Sequence, residues 1–124
     1  MKIVIPFKAK YRDLMISGQK TCTSRRIIYG KIGDTFEFAD HIFVLKRIED
    51  ITLSVVALEL YKHEGCKCPE EFINIWMDLY PRDGWTPNKK VWVHFFTHIC
   101  DTEPTDDKEK YIILNCFNKL WGSV

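Results

Sequence analysis

Glycine and proline punctuate this chain at short intervals, and no other feature limits its folding so strongly. Between Pro6, Gly18, Gly30, Gly33-Asp34, Gly65, Pro69 and Pro81 lie segments rich in Val, Ile, Leu, Phe and Thr, the composition of short strands. The pattern predicts strands over residues 2–7, 20–28 and 35–38, two long sheet neighbours over 42–48 and 51–61 parted by Glu49-Asp50, and a strand over 91–100. Helical spacing occurs twice, as Tyr11, Leu14 and Met15 before Gly18 and as Phe72, Ile73, Trp76 and Leu79 after Pro69. Gly18 accepts the left-handed cap conformation cheaply. Pro69 suits a first helical position, Glu70 and Glu71 suit the positive helix start, and Pro81 stops the run. Five or six strands with two small helices imply an α+β chain folded as a compact mixed β-barrel. Residues 101–110 read as a charged linker, and 111–124 as a strand or, through Leu114, Phe117, Leu120 and Trp121, a docked helix.

At 124 residues the chain is expected to form one domain, with 101–124 an extension of it. The formal net charge is only +1, from 18 basic and 17 acidic residues, so the whole-protein field does not by itself gather a polyanion, which argues against a histone-like binder. Charge is uneven, however: residues 2–31 hold eight Lys or Arg against the single acid Asp13. Any nucleic-acid contact must use such a local patch. Five cysteines, an odd number, and an N-terminus without a long apolar run point to a reduced, cytoplasmic protein. No segment approaches the ~20 apolar residues that span a bilayer, so no membrane is expected.

Chemistry concentrates in Gly18-Gln19-Lys20-Thr21-Cys22-Thr23-Ser24-Arg25-Arg26, where a helix end turns into a strand. An ordinary lysine after a helix offsets the negative helix end. In a pocket, desolvation and the nearby Arg25 or Arg26 favour a neutral Lys20 amine able to take a proton from a hydroxyl, for which Thr23 is the candidate. Strand alternation puts Thr21, Thr23 and Arg25 on one face and Lys20 on the other, so Lys20 meets Thr23 only from the corner or past a bulge. Glu64, before the flexible Gly65, becomes a proton donor if it faces Lys20.

His63, Cys66 and Cys68 have the ligand chemistry of zinc, but Cys-x-Cys is poor spacing and no fourth ligand lies nearby. His94, His98 and Cys100 share a strand face by even spacing, as a half-exposed strand also would. No metal or organic cofactor is called for. Trp76 lies on the apolar helix face and belongs to a core. Trp85, in the loop Arg82-Asp83-Gly84-Trp85, is the better platform for stacking a base.

The run Gly18-Gln19-Lys20-Thr21-x-Thr23-x-Arg25, the Gly33-Asp34 turn, Glu64-Gly65, and Pro69-Glu70-Glu71-Phe72 through Tyr80-Pro81 together resemble the ASCH family, over residues 8 to 96. The resemblance implies a β-barrel related to the PUA domain, an RNA-binding fold, with a cleft beside the Gly-x-Lys segment. It also implies binding of RNA or nucleosides and, in a bacterial branch, hydrolysis of the acetyl amide of acetylcytidine. By motif position that branch's lysine, threonine and glutamate fall on Lys20, Thr23 and Glu64, with Arg25 beside them.

The expected partner is therefore a nucleoside or single-stranded RNA. In the amidohydrolase reading Thr23 attacks the acyl carbon, Lys20 takes its proton, Arg25 steadies the oxyanion and Glu64 protonates the departing amine. In the alternative, a non-catalytic RNA-binding module, Lys20, Arg25 and Arg26 pair with phosphates while an aromatic stacks on a base, with Thr21 beside them. A third reading, metal-independent cleavage of RNA, uses the same lysine.

Overall fold

The computed structural model describes residues 1–101, with side chains through residue 99. The expected linker and tail at 102–124 lie outside the described residues. In chain order the elements are β1 (Lys2–Ile3), α1 (Arg12–Ile16), β2 (Cys22–Arg25), β3 (Thr35–Phe38), β4 (His41–Thr52), α2 (Leu53–Glu59), α3 (Pro69–Leu79) and β5 (Lys90–Asp101), with a 3-10 turn at Ala9–Tyr11 leading into α1. The strands form one five-stranded sheet in the order β1-β3-β4-β5-β2. Among the described residues only β1 against β3 is parallel; the other ladders are antiparallel.

Local signals account for most of these boundaries. Gly18, at φ +82, ends the first helical turn, and the chain doubles back so that the Lys20 amide donates to the Leu14 carbonyl at 2.8 Å. Helix α3 has proline at its start, two acids in its first turn, and Phe72 and Trp76 buried one turn apart. The turn before β3 is tied by its aspartate: Lys31 N–H donates to Asp34 Oδ2 at 2.9 Å.

The segment 51–61 differs from expectation. A single strand, β4, runs through Glu49 and Asp50, which pair with Val93 and Trp92 of β5. The chain then becomes helix, burying Leu53, Val56 and Ala57 on one side. Their i, i+3, i+4 spacing is helical, and tertiary burial of that stripe overrides the β preference of Val55 and Val56. The predicted strands at 2–7 and 20–28 are each shorter than expected, because Pro6 has no N–H for a ladder and Ile27 and Ile28 are exposed past the end of β2.

The expected barrel is not closed by backbone pairing: among the described residues β1 and β2 remain sheet edges. A side chain bridges the opening instead, Arg25 donating from its guanidinium to the Pro6 carbonyl at 2.5 Å. Two apolar clusters flank this seam. One joins Leu53, Val56, Phe72, Trp76, Val91 and Val93. The other is aromatic, with Phe36 stacked on Phe43 at 5.3 Å and Phe96 edge-on to both.

The Asp34 turn carries a pH signature. Hydrogen bonding from the Lys31 amide holds the Asp34 carboxyl below its usual range in the folded chain. A group depressed on folding stabilises the native state above its unfolded pKa, about 3.9, and loses that contribution as pH falls through the folded value. The stability advantage of the native chain over Asp34→Asn is therefore expected at pH 7 and should shrink as pH falls below the unfolded value of about 3.9 in urea titrations; an advantage that grows on acidification would contradict this account.

Candidate functional site

Two turns that are distant in sequence are stitched together at the seam. After α2 the chain winds through short turns, with Glu64 N–H donating to the Leu60 carbonyl and Cys66 N–H to that of Tyr61. The His63 carbonyl accepts from both Thr21 N–H and Cys22 N–H, at 2.8 and 3.1 Å, hooking this loop to the start of β2. Gly65, at φ +93, lies so close that a Cβ would sit 3.4 Å from the Lys20 stem. Glycine is needed here for its conformation.

Lys20 and Glu64 are thereby buried together, at 3% and 6% exposure. The Lys20 ammonium donates to the carbonyls of Cys22 and Glu64 at 2.8 and 2.7 Å, stands 3.5 Å from Glu64 Oε1, and lies 4.7 Å from the centre of the Tyr11 ring. The other carboxylate oxygen, Oε2, accepts from Ser24 Oγ at 2.5 Å and from the Cys22 thiol at 3.8 Å. A charge buried alone would be prohibitive, and this network supplies both partners with counter-charge and hydrogen bonds. Such a pair contributes little stability beyond well-packed apolar residues, so stability alone does not account for it.

Alternation along β2 sorts the remaining groups. Cys22 and Ser24 follow Lys20 toward Glu64, whereas Thr23 and Arg25 form a pair of their own, Arg25 Nε donating to Thr23 Oγ1 at 3.0 Å. The Arg25 guanidinium is also held between the rings of Phe7 and Tyr29, at 5.0 and 5.6 Å. Lys20 reaches the site from the corner before β2, without a bulge in that strand, and it does not hydrogen-bond Thr23.

Both groups open into one cavity of about 320 Å³, at the lower end of the usual ~300–1,000 Å³ for small-molecule sites. Lys20, Thr23, Ser24, Arg25 and Glu64 line its polar part, while Phe7, Tyr11, Phe72, Trp76 and Tyr80 supply aromatic walls. Burial, reinforced by the nearby carboxylates, pushes the Tyr11 phenol up to about 12 and the Cys66 thiol in the same wall up to about 11. Both stay protonated at neutral pH, so Tyr11 is a neutral donor there.

Of the other sequence candidates, Thr21 bonds His63 Nδ1 at 3.2 Å, and Arg26 stacks on Tyr80 and pairs with Asp83. Trp85 packs half-buried against the helical cluster. None of the three lines this cavity. Trp76 is core, as expected, and cavity wall as well. His63, Cys66 and Cys68 form no group of three metal-ligating side chains among the described residues. His94 is buried with its Nε2 accepting from Tyr29 N–H and its Nδ1 at 3.0 Å from the Trp92 carbonyl, and desolvation lowers its pKa.

Sequence reasoning passed over Ser24 and Tyr11. Ser24 was legible in principle, because the alternation that separates Lys20 from Thr23 puts residue 24 on the lysine side. Removing its hydroxyl leaves a buried carboxylate oxygen with only the weak Cys22 thiol donor, so Ser24→Ala is expected to cost about 1–3 kcal/mol. Chemical denaturation measures this, and a variant as stable as the parent would show that the hydrogen bond carries nothing.

No family model matches the chain, and no curated protein matches it in sequence. Solved structures do resemble it. A hypothetical protein aligns with TM-score 0.59 at 19% identity, over 75% of this chain and 94% of the other. A protein of Enterococcus faecalis, from a domain family of unknown function, aligns with TM-score 0.58 at 18% identity, over 78% of this chain and 74% of the other. An ASCH domain from Lactobacillus crispatus aligns with TM-score 0.53 at 10% identity, over 77% of this chain and 76% of the other. No helix among the described residues is long and apolar enough to cross a membrane. The chain thus has the fold of an ASCH domain.

Proposed function

We propose that the cavity binds a nucleoside through its base and hydrolyses an acyl amide on the base's exocyclic nitrogen. The observation that carries this reading is the buried polar patch, Lys20, Glu64, Ser24 and Thr23, set among aromatic walls. A planar heteroaromatic ring fits such walls by stacking, and its amide edge needs donors and acceptors at one side. A free nucleoside is favoured over a phosphate-tracking strand at this patch. Lys20 turns its donors inward, and Arg25 spends donors on Pro6 and Thr23.

The proton inventory of such a reaction closes. One proton of the Lys20 ammonium passes to the Glu64 carboxylate, leaving a neutral amine and a neutral acid. Thr23 Oγ then attacks the acyl carbon as its proton moves to Lys20, a transfer that requires the amine to approach a hydroxyl it does not hydrogen-bond in the structure. Arg25, already donating to Thr23 Oγ1, stabilises the negative charge that develops on oxygen. Collapse of the tetrahedral adduct breaks the C–N bond, and Glu64 gives its proton to the departing amine. Water then cleaves the threonine ester, releasing the carboxylic acid and restoring the hydroxyl.

Steady-state hydrolysis of acetylcytidine tests this. Lys20→Ala and Thr23→Val are each expected to lower kcat by at least about 100-fold, the usual worth of a positioned proton-transfer group or its nucleophile. Thr23→Val should still bind cytidine, read from tryptophan fluorescence. Wild-type turnover in both variants would exclude the hydrolase; absence of cytidine binding by the unaltered chain would exclude the base-binding reading too.

A further inference from the structure

A second, more open cavity of about 260 Å³ abuts the first, and the two share Leu79 and Tyr80 as a common wall. Its remaining lining is Arg26, Pro81, Arg82 and Asp83. The Arg26 guanidinium is preset by stacking on Tyr80, 4.4 Å from the ring centre. Asp83 is divided between Arg26 at 3.2 Å and Lys89 at 3.6 Å. Arg82 makes no ion pair or hydrogen bond among the described residues. Taken together, the two cavities are lined by five cations (Lys8, Lys20, Arg25, Arg26, Arg82) and only two carboxylates, Glu64 and Asp83. In a chain of net charge +1, that is a marked local excess of cations at two adjoining cavities.

We infer that the second cavity is a phosphate site, and that the ligand is a nucleotide whose base occupies the first cavity while its phosphate lies between Arg26 and Arg82. This rests on the base-binding reading above and narrows its substrate class. Guanidinium forks match phosphate oxygens in pairs: Arg26 is already oriented on an aromatic ring, and Arg82, without an ion pair or hydrogen bond among the described residues, has its donors available to a ligand. Leu79 and Tyr80 line both cavities and make them neighbours, and the assignment requires one molecule to span the two. A free nucleotide and a nucleotide within single-stranded RNA present the same chemistry here.

Calorimetric titration of the full chain with cytidine, cytidine 5′- and 3′-monophosphate, ribose 5-phosphate and a short oligocytidine tests the assignment. At low salt one of the monophosphates is expected to bind at least about 10-fold more tightly than cytidine, since hydrogen bonds to charged groups are the strong ones. Arg82→Gln, at an exposed position without an ion pair or hydrogen bond among the described residues, should remove that preference and leave cytidine binding unchanged. Equal affinity for cytidine and both monophosphates, or a preference that survives Arg82→Gln and Arg26→Gln, overturns the inference while leaving base binding intact. Arg82-dependent binding of ribose 5-phosphate at full nucleotide affinity supports the phosphate site and overturns the base reading instead. An oligocytidine that binds more tightly than either monophosphate, with a steeper loss on adding salt, identifies the source as a strand. The reverse order identifies a free nucleotide.

Discussion

The buried contact between Lys20 and Glu64 is the constraint around which the site is organised. Each group would be intolerable alone in an apolar setting, so the helix end that carries Lys20 and the loop that carries Glu64 must meet for either to be buried. The meeting is enforced by backbone as well as charge: Lys20 reaches the carbonyl of Glu64 itself, and the His63 carbonyl holds the start of β2. Ser24 and Cys22 complete the coordination of the carboxylate from the same strand face. One charged pair thereby fixes three segments relative to one another.

The cavity beside that pair is where the sheet fails to close. Between the extended chain after β1 and the edge of β2 there is no ladder, and Arg25 bridges the gap with its side chain. A guanidinium can span such an opening while aromatic rings cover its faces, leaving room that a backbone ladder would fill. The seam also separates the two apolar clusters, so the walls are the margins of both: Phe7 and Tyr11 from one, Phe72, Trp76 and Tyr80 from the other. Polar groups at a boundary between cores are protected from bulk water yet remain open to a ligand.

Where the chain was misread, long-range burial outweighed local preference. Residues 53–57 carry two β-branched valines and follow a strand without a glycine or proline to mark the change. Only the packing of Leu53, Val56 and Ala57 against α3 and β5 makes them helical. Glu49-Asp50 looked like a turn, but an antiparallel partner of equal length lets both acids stay exposed while their backbone pairs. By contrast the Gly18 cap, the Pro69 helix start and the β5 strand each depended on signals within a few residues and were legible at once.

The sequence by itself determined the local vocabulary: the helix end at Gly18, the alternating polar and small residues of β2, the acid before a flexible glycine, and the aromatic stripe of α3. Alternation even contained the division between Ser24, which joins Lys20 at Glu64, and Thr23, which joins Arg25. Tertiary structure alone decided that Lys20 and Glu64, 44 positions apart, are neighbours. It also decided that Arg26 and Trp85 do not line the main cavity, and that a second opening lies beside Tyr80. The physical reason is one of range: caps, turns and side-chain period are set by neighbouring residues, whereas burial of a charge depends on which distant segments exclude water from it.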